Sequence, residues 1–223
     1  MFWVLLSLLF CWLIFREFRS TSTAPIDMPL SKGVWKPYVF VLAVLALLSI
    51  WQPIATWLLE RRLSAIATVL ADPRVARVHC NTVIGTMFDP NSTNIGHANP
   101  ESGQVAFQYP WCNRLEAYLR HPQRADREEL ESLGLLTHES MHVRGEYNEA
   151  RTECQAVQRN FRTAKLLGVS VRVAKRNALD YYYSIYMSRA YKEGNPDHYF
   201  SDKCAPAEEL DEQLRDSTWA SHY

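Results

Sequence analysis

The residues best suited to chemistry are His138, Glu139 and His142, which fall within five consecutive positions. On an α-helix, residues four apart lie on one face, one turn apart, so both imidazoles can reach a single metal ion. Zinc accepts imidazole nitrogen readily and keeps a position open for water when only three protein ligands bind it. Glu139 lies beside the first histidine and can take a proton from that water. The segment therefore predicts a hydrolytic zinc site with Glu139 as its general base.

A third metal ligand is expected downstream, where Glu149 and Glu153 follow with a spacing that places both carboxylates on one helical face. The pattern from His138 to His142 is the HExxH signature of zincin metallopeptidases. Residues 148–153 resemble the NExxSD segment of the thermolysin-like gluzincins within that group. The resemblance implies that Glu149 is the third zinc ligand and that Glu153 orients one of the two histidines. Glu153 as the ligand itself is the alternative.

The spacing departs from the gluzincin pattern, because only six residues separate His142 from Glu149. A short gap is similar to the HExxHxxGxxH pattern of metzincins, which the chain matches through Gly145. Their third ligand would fall at Asn148, a poor zinc ligand, and Met187 makes no convincing Met-turn. Residues 75–205 also resemble a group of membrane-anchored bacterial proteins of uncharacterised function that carry HExxH, a nearby NEAxxEC segment and a cysteine near the C-terminus.

The elements that must position these residues are mainly helical. Apolar residues at spacings of three and four predict that residues 127–143 form the motif helix, which Gly145 ends. The fold class expected is α+β, mainly helical: a transmembrane hairpin followed by a zincin-like helical domain with a small β region. The further predicted elements are short strands at residues 75–88 and 105–109 with a polar loop between them, a short helix at 113–120, and helices at 148–167 and 170–192.

The N-terminal 60 residues form a membrane region with two apolar segments, residues 1–15 and 38–59. The second segment carries no charge and covers about 33 Å as a helix, enough to cross a bilayer. The first is short for a span, and Ser22, Thr23 and Ala24 leave a cleaved signal sequence as the alternative. Residues 61–223 are expected to form the zincin-like domain.

The location of that domain follows from basic residues and cysteines. Arg16, Arg19, Lys32 and Lys36 lie between the apolar segments, so the positive-inside rule predicts a multi-pass protein of the cell membrane with this loop in the cytoplasm. The C-terminal domain is then extracytoplasmic, where disulfides form. Its four cysteines allow three pairings; we favour Cys80–Cys112 with Cys154–Cys204, and free buried thiols are the alternative.

A donor that stabilises the oxyanion of an attacked carbonyl is expected from a tyrosine or from a histidine such as His198. Packing is the commoner role for the tyrosines of the third helix, which are Tyr181, Tyr182, Tyr183 and Tyr186. The remaining histidines show no ligand spacing: His79, His97, His121 and His222.

Together these features predict a membrane-anchored metallopeptidase that binds one zinc ion per chain and hydrolyses peptide bonds with Glu139 as general base. The alternative is a non-catalytic metal-binding or sensory ectodomain on a membrane anchor. The expected partners are the lipid bilayer and a peptide or protein substrate. Basic and acidic residues number 24 each, so net charge gives no argument for nucleic-acid binding.

Overall fold

The computed structural model describes residues 2–22, 36–191 and 198–220. The chain divides into two compact units, Met1–Leu59 and Glu60–Tyr223. The helices are α1 (Phe2–Ser22), α2 (Lys36–Leu70), α3 (Val83–Phe88), α4 (Trp111–Arg120), α5 (Arg127–Arg144), α6 (Glu149–Leu166) and α7 (Val171–Tyr181). The strands are β1 (Arg77–Cys80), β2 (Gly96–Asn99) and β3 (Gln104–Phe107). The prediction of a mainly helical fold with a small sheet is thus confirmed.

Of the described residues, only α2 forms a helix that is long and apolar enough to cross a membrane. It has 35 residues and a mean hydropathy of 2.1 over its most apolar stretch. The 21-residue α1 holds Arg16, Glu17 and Arg19 near its end, so its apolar part falls short of the roughly 20 residues that a span needs. The structure therefore supplies one candidate span, while the predicted hairpin of two spans stays a prediction.

The core of the second unit is built around α5, which packs against α4, α6, α7 and the sheet. Leu133, Leu136, Met141 and Val143 are at most 1% exposed, so α5 is enclosed on nearly all sides. The sheet has the order β1-β3-β2, with β1 parallel and β2 antiparallel to β3. Because β2 contacts α5, the edge of the sheet lies beside the motif helix.

Both favoured disulfides are present. Cys80–Cys112 joins the end of β1 to α4, and Cys154–Cys204 joins α6 to the C-terminal segment. The alternative of free buried thiols is therefore wrong for these four residues, and of the described cysteines Cys11 alone is free.

Three predicted elements need correction. The strand predicted at residues 75–88 covers only Arg77–Cys80, because Thr82 caps a helix instead: its Oγ1 accepts a hydrogen bond from the Gly85 amide at 3.0 Å. The loop predicted before β3 contains β2, which forms by pairing with β3. The helix expected from Ser170 is α-helical to Tyr181, continues as a π-turn over Tyr182–Tyr186 and ends as a 3₁₀ turn over Met187–Tyr191.

Candidate metal centre

Helix α5 fixes His138, Glu139 and His142 because both of its ends are specified locally. Asp126 and Glu129 form a reciprocal capping box at the N-terminus. At the C-terminus Gly145 adopts a φ of +121°, a conformation that other residues rarely tolerate, and its amide bonds back to the carbonyls of Met141 and His142.

The reversal at Gly145 brings α6 back alongside α5. Glu146 organises the turn, because its Oε1 accepts hydrogen bonds from the amides of Tyr147 and Asn148, both at 2.9 Å. Asn148 then caps α6 by accepting the Arg151 amide at 2.9 Å. As a result Glu149, the first residue of α6, faces the two histidines across the hairpin.

The side chains of His138, His142 and Glu149 converge on one point. The two histidine Nε2 atoms are 3.0 Å apart, and Glu149 Oε2 lies 3.2 Å from His138 Nε2 and 3.4 Å from His142 Nε2. A tetrahedral zinc ion with bonds of about 2.0–2.1 Å holds its ligand atoms about 3.3 Å apart. The three atoms are therefore spaced as the ligands of one zinc ion would be, and His138, His142 and Glu149 are the residues that would hold such an ion.

Glu153 lies on the opposite side of His138. Its Oε2 is 2.8 Å from His138 Nδ1, while Oε1 accepts the Tyr181 hydroxyl at 2.6 Å. Arg189 Nη1 adds an ion pair at 3.0 Å that lacks hydrogen-bond geometry. A carboxylate on Nδ1 holds a proton there, so that Nε2 would be the nitrogen to bind a metal once its own proton has left. The structure therefore places Glu149 beside the Nε2 atoms of the two histidines and Glu153 on the Nδ1 side of His138.

The electrostatics of the cluster favour a cation. Burial disfavours charge on His138, but hydrogen bonds with Glu149 and Glu153 outweigh it and raise the pKa of His138 to about 10. Hydrogen bonds from His138 and His142 hold the pKa of Glu149 well below its usual range. The negative charges of Glu149 and Glu153 that stabilise a protonated imidazole would also stabilise a divalent cation, which would have to displace the protons from the ligand atoms.

Glu139 lies beside the triangle and is only 4% exposed. Burial raises the pKa of its carboxyl, and the neighbouring imidazoles of His138 and His142 oppose that shift. Within the described chain its Oε2 accepts no hydrogen bond. A carboxylate with a raised pKa and an unused oxygen is suited to accept and return a proton.

A cleft of about 240 Å³ opens over the donor atoms. Three residues that the sequence did not indicate line it: His97 on β2, Tyr147 in the turn before α6, and Tyr199 in the C-terminal segment. The Tyr199 ring lies 5.6 Å from the His138 ring, centre to centre. His97 and Tyr199 are far from the motif in sequence, so no local spacing could have revealed them.

The tyrosines of the third helix and the histidines outside the motif lie in different parts of the domain. Tyr181 bonds to Glu153, whereas Tyr182 and Tyr186 pack in the core with Trp219 and Phe200. His198 lines a neighbouring cavity of about 440 Å³ that Glu139 and Tyr199 also border. His79 and His121 line neither cavity, and His222 lies outside the described residues.

No protein-family model, curated protein or solved structure matches this chain. The likeness to zincins therefore rests on the local pattern of the two histidines and the three glutamates. Function has to be argued from the geometry of the site itself.

Proposed function

We propose that the chain is a membrane-anchored, zinc-dependent metallopeptidase. The observation that carries the proposal is the triangle of His138 Nε2, His142 Nε2 and Glu149 Oε2, with sides of 3.0 to 3.4 Å and with Glu139 beside it. When bound there, zinc lowers the pKa of a water ligand and polarises a substrate carbonyl. Glu149 is the third ligand in this proposal, and Glu153 orients His138 through its Nδ1 atom.

Glu139 moves the proton in this reaction. Its carboxylate accepts a proton from the water that attacks the peptide carbonyl and transfers it to the departing amide nitrogen. Its burial suits both steps, since a raised pKa makes the carboxyl a competent acid once it has been protonated. Tyr147 and Tyr199 both line the same cleft, and in this proposal one of their hydroxyls stabilises the oxyanion.

An extended peptide is the substrate that the cleft suits best. Strand β2 is one of the two edge strands of the sheet among the described residues, and it is the one that contacts α5. The Gln108 amide donates a hydrogen bond to the Ile95 carbonyl at 3.0 Å. From this pair, hydrogen-bonded and non-hydrogen-bonded residue pairs alternate along the antiparallel strands β2 and β3. The backbone groups of Gly96 and Ala98 therefore point away from β3, toward the cleft. A peptide can pair with this edge as an added strand, which brings its carbonyls beside the donor triangle.

The membrane anchor in this proposal consists of α2 and the shorter α1 as a second span. The arginines and lysines between the two spans hold their connection in the cytoplasm and leave residues 61–223 outside. The two disulfides support this arrangement, since disulfides persist in oxidising compartments.

The proposal is tested on full-length protein purified in detergent and supplied with zinc. We expect about one zinc per chain, loss of that zinc in Glu149→Ala, and cleavage of an unfolded protein such as casein. Glu139→Gln should keep its metal and lose activity by about 10²–10⁴-fold. Glu128→Gln, an exposed position on the same helix, should match the wild type.

Two outcomes would contradict this. Zinc bound without cleavage of any peptide by the wild type would leave a metal-binding ectodomain rather than a peptidase. Absence of zinc from folded, disulfide-bonded protein would remove both functions.

A further inference from the structure

Helix α3 exposes an unusual apolar face. Its four large apolar residues are 52%, 67%, 73% and 82% exposed, in the order Val83, Ile84, Met87 and Phe88. They occupy two pairs of positions four apart, so all four side chains share one face of the short helix. The chain carries no charged residue from Cys80 to Phe88. Contiguous apolar surface of this kind marks a site of contact with another apolar partner.

The opposite side of α3 is fastened to the sheet by polar contacts. Asn81 Nδ2 donates to Asp89 Oδ2 at 2.8 Å and to Gln108 Oε1 at 2.9 Å, which closes the base of the segment. Thr86 Oγ1 accepts the Tyr109 amide at 2.8 Å. The polar groups therefore face the domain, and the apolar face is held outward in a defined orientation.

The direction of β1 shows at which end of the domain α3 lies. Three hydrogen bonds link β1 and its flank to the last part of α2: the Ala76 amide to Thr68 Oγ1 at 3.0 Å, the Val78 amide to Ser64 Oγ at 2.8 Å, and the Cys80 amide to Glu60 Oε1 at 2.8 Å. A step of two residues forward along the strand covers about 6.6 Å, and the bonded partner then lies four residues earlier in the helix, a distance of about 6 Å. Strand and helix are thus antiparallel.

Following β1, the chain returns toward Glu60, the first charged residue after the uncharged residues 38–59. The ladder extends one residue further, because the Asn81 amide bonds to the Phe107 carbonyl at 2.9 Å. Val83 lies three residues after Cys80 and so at most about 11 Å from it. The headgroup layer of one leaflet is about 5–8 Å thick. The start of α3 is therefore close to Glu60, where an α2 span would leave the hydrocarbon.

We propose that α3 docks into the bilayer interface, with Val83, Ile84, Met87 and Phe88 inserted among the lipids. This inference rests on the proposed membrane anchoring by α2. A second copy of the chain fits less well, because four side chains offer far less than the roughly 800 Å² per partner that a stable protein interface buries. Lipid needs no such area, and an interfacial helix inserts its apolar face about 5–10 Å into the boundary.

The test places one environment-sensitive fluorophore at a time on full-length protein in phosphatidylcholine vesicles. Each variant carries Cys11→Ser, so that the engineered cysteine is the free thiol and the other four stay in disulfides. Met87→Cys reports on α3, and Leu47→Cys reports on the span. Ser102→Cys is the matched control: it precedes β3, which is parallel to β1, so it lies at the end of the sheet remote from Glu60.

Lipids with a doxyl quencher near the headgroup should lower Met87→Cys fluorescence at least about twofold, given an insertion of about 5–10 Å. They should leave Ser102→Cys unchanged, and deep quenchers should act on Leu47→Cys. Quenching at Leu47→Cys without quenching at Met87→Cys would overturn the α3 proposal and leave the anchor intact. A blue-shifted but unquenched Met87→Cys label would also overturn it, in favour of a second copy. Loss of quenching at both positions would overturn anchoring and docking together.

Discussion

At the residue scale, Glu153 should influence the zinc affinity of the proposed site although it lies outside the donor triangle. It is 2% exposed and contacts His138, Tyr181 and Arg189. Burial opposes its charge, but the hydrogen bond with His138 and the charge of Arg189 hold the pKa of Glu153 below its usual value. Its negative charge therefore stays behind His138, where it raises the basicity of that ligand.

Glu153→Gln should weaken zinc binding by about 10–100-fold, because the amide keeps the shape of the side chain and removes its charge. Glu149→Gln should weaken binding further, since it replaces the proposed third ligand of the metal. Competition with a fluorescent zinc chelator measures both values, and Glu116→Gln on the exposed face of α4 serves as the control. Zinc retained by Glu149→Gln and lost by Glu153→Gln would instead identify Glu153 as the third ligand.

Among the elements, the contact between α5 and α7 sets the position of Tyr181 and, through it, of Glu153. Gly134 allows this contact: a Cβ there would lie 2.5 Å from Tyr181 Cε2 and 2.8 Å from its hydroxyl oxygen. The ring is enclosed, with Tyr181 only 3% exposed, so it has little room to move. Glycine is needed here for close packing rather than for backbone freedom.

We expect Gly134→Ala to lower the free energy of unfolding by about 1–3 kcal/mol through overpacking and to weaken zinc binding by displacing Tyr181. Tyr181→Phe separates the two effects, because it removes the hydroxyl bonded to Glu153 and keeps the ring. Chemical denaturation and the chelator competition measure them. A Gly134→Ala variant as stable as the wild type would show that α7 moves freely away from α5.

The C-terminal segment is held on α6 by two ion pairs. Arg159 forms a bidentate pair with Glu212 at 2.8 and 2.7 Å, and Arg162 Nε lies 2.7 Å from Asp216 Oδ2. Burial raises the pKa of Glu212, but Arg159 outweighs it, and the net shift is downward. Arg162 lowers the pKa of Asp216. Because the segment also carries Cys204, these pairs and the disulfide fasten the same stretch of chain.

A carboxylate with a lowered pKa stabilises the fold above its unfolded value of about 4, and that stability is lost as the pH falls through the folded value. The free energy of unfolding should therefore decrease as the pH drops below about 4. Glu212→Gln with Asp216→Asn should cost about 1–3 kcal/mol at pH 7 and progressively less in acid. Glu209→Gln, in an exposed pair with Lys203, is the control. A constant difference between wild type and double variant across this pH range would contradict the argument.

The sequence predicted the elements whose signals are local. The motif helix was expected at residues 127–143 and is observed as Arg127–Arg144, because its capping box and Gly145 lie within it or next to it. By contrast, the β-branched and apolar residues of α3 resemble a strand, and only the Thr82 cap and the contacts at its base make them helical. Strand β2 has weak β-formers and exists because β3 pairs with it.

The same distinction holds for the site. The donor atoms of His138, His142 and Glu149 come from one helical hairpin, so their convergence follows from spacing and one turn. His97 reaches the site from the sheet, Arg189 from the 3₁₀ turn that follows α7, and Tyr199 from the C-terminal segment. Tertiary packing alone determines such neighbours, and a single sequence carries no signal for it.

At the scale of the whole molecule, the two disulfides and the basic residues before α2 both bear on which side of the membrane the domain lies. The disulfides close separations of 32 and 50 residues, each worth about 4 kcal/mol if the constraint acts on the unfolded chain. A cytoplasmic domain would be kept reduced and would lose this contribution. In the proposed topology the domain lies on the oxidising side of the membrane, where both disulfides persist.

We therefore expect Ser102→Cys, on the Cys11→Ser background, to react with a membrane-impermeant maleimide on intact cells. Ser102 is exposed, so access depends only on the side of the membrane. Lys32→Cys should react only after permeabilisation, because the proposed topology holds the basic connection with Arg16, Arg19 and Lys36 in the cytoplasm.

The opposite labelling pattern would place the domain in the cytoplasm and leave the disulfides without an oxidising compartment. Labelling of both positions on intact cells would mean that α2 does not cross the membrane, because positions 32 and 102 lie before and after it in the chain. In that case the proposed anchor would be wrong, and the docking of α3, which depends on that anchor, would lose its basis.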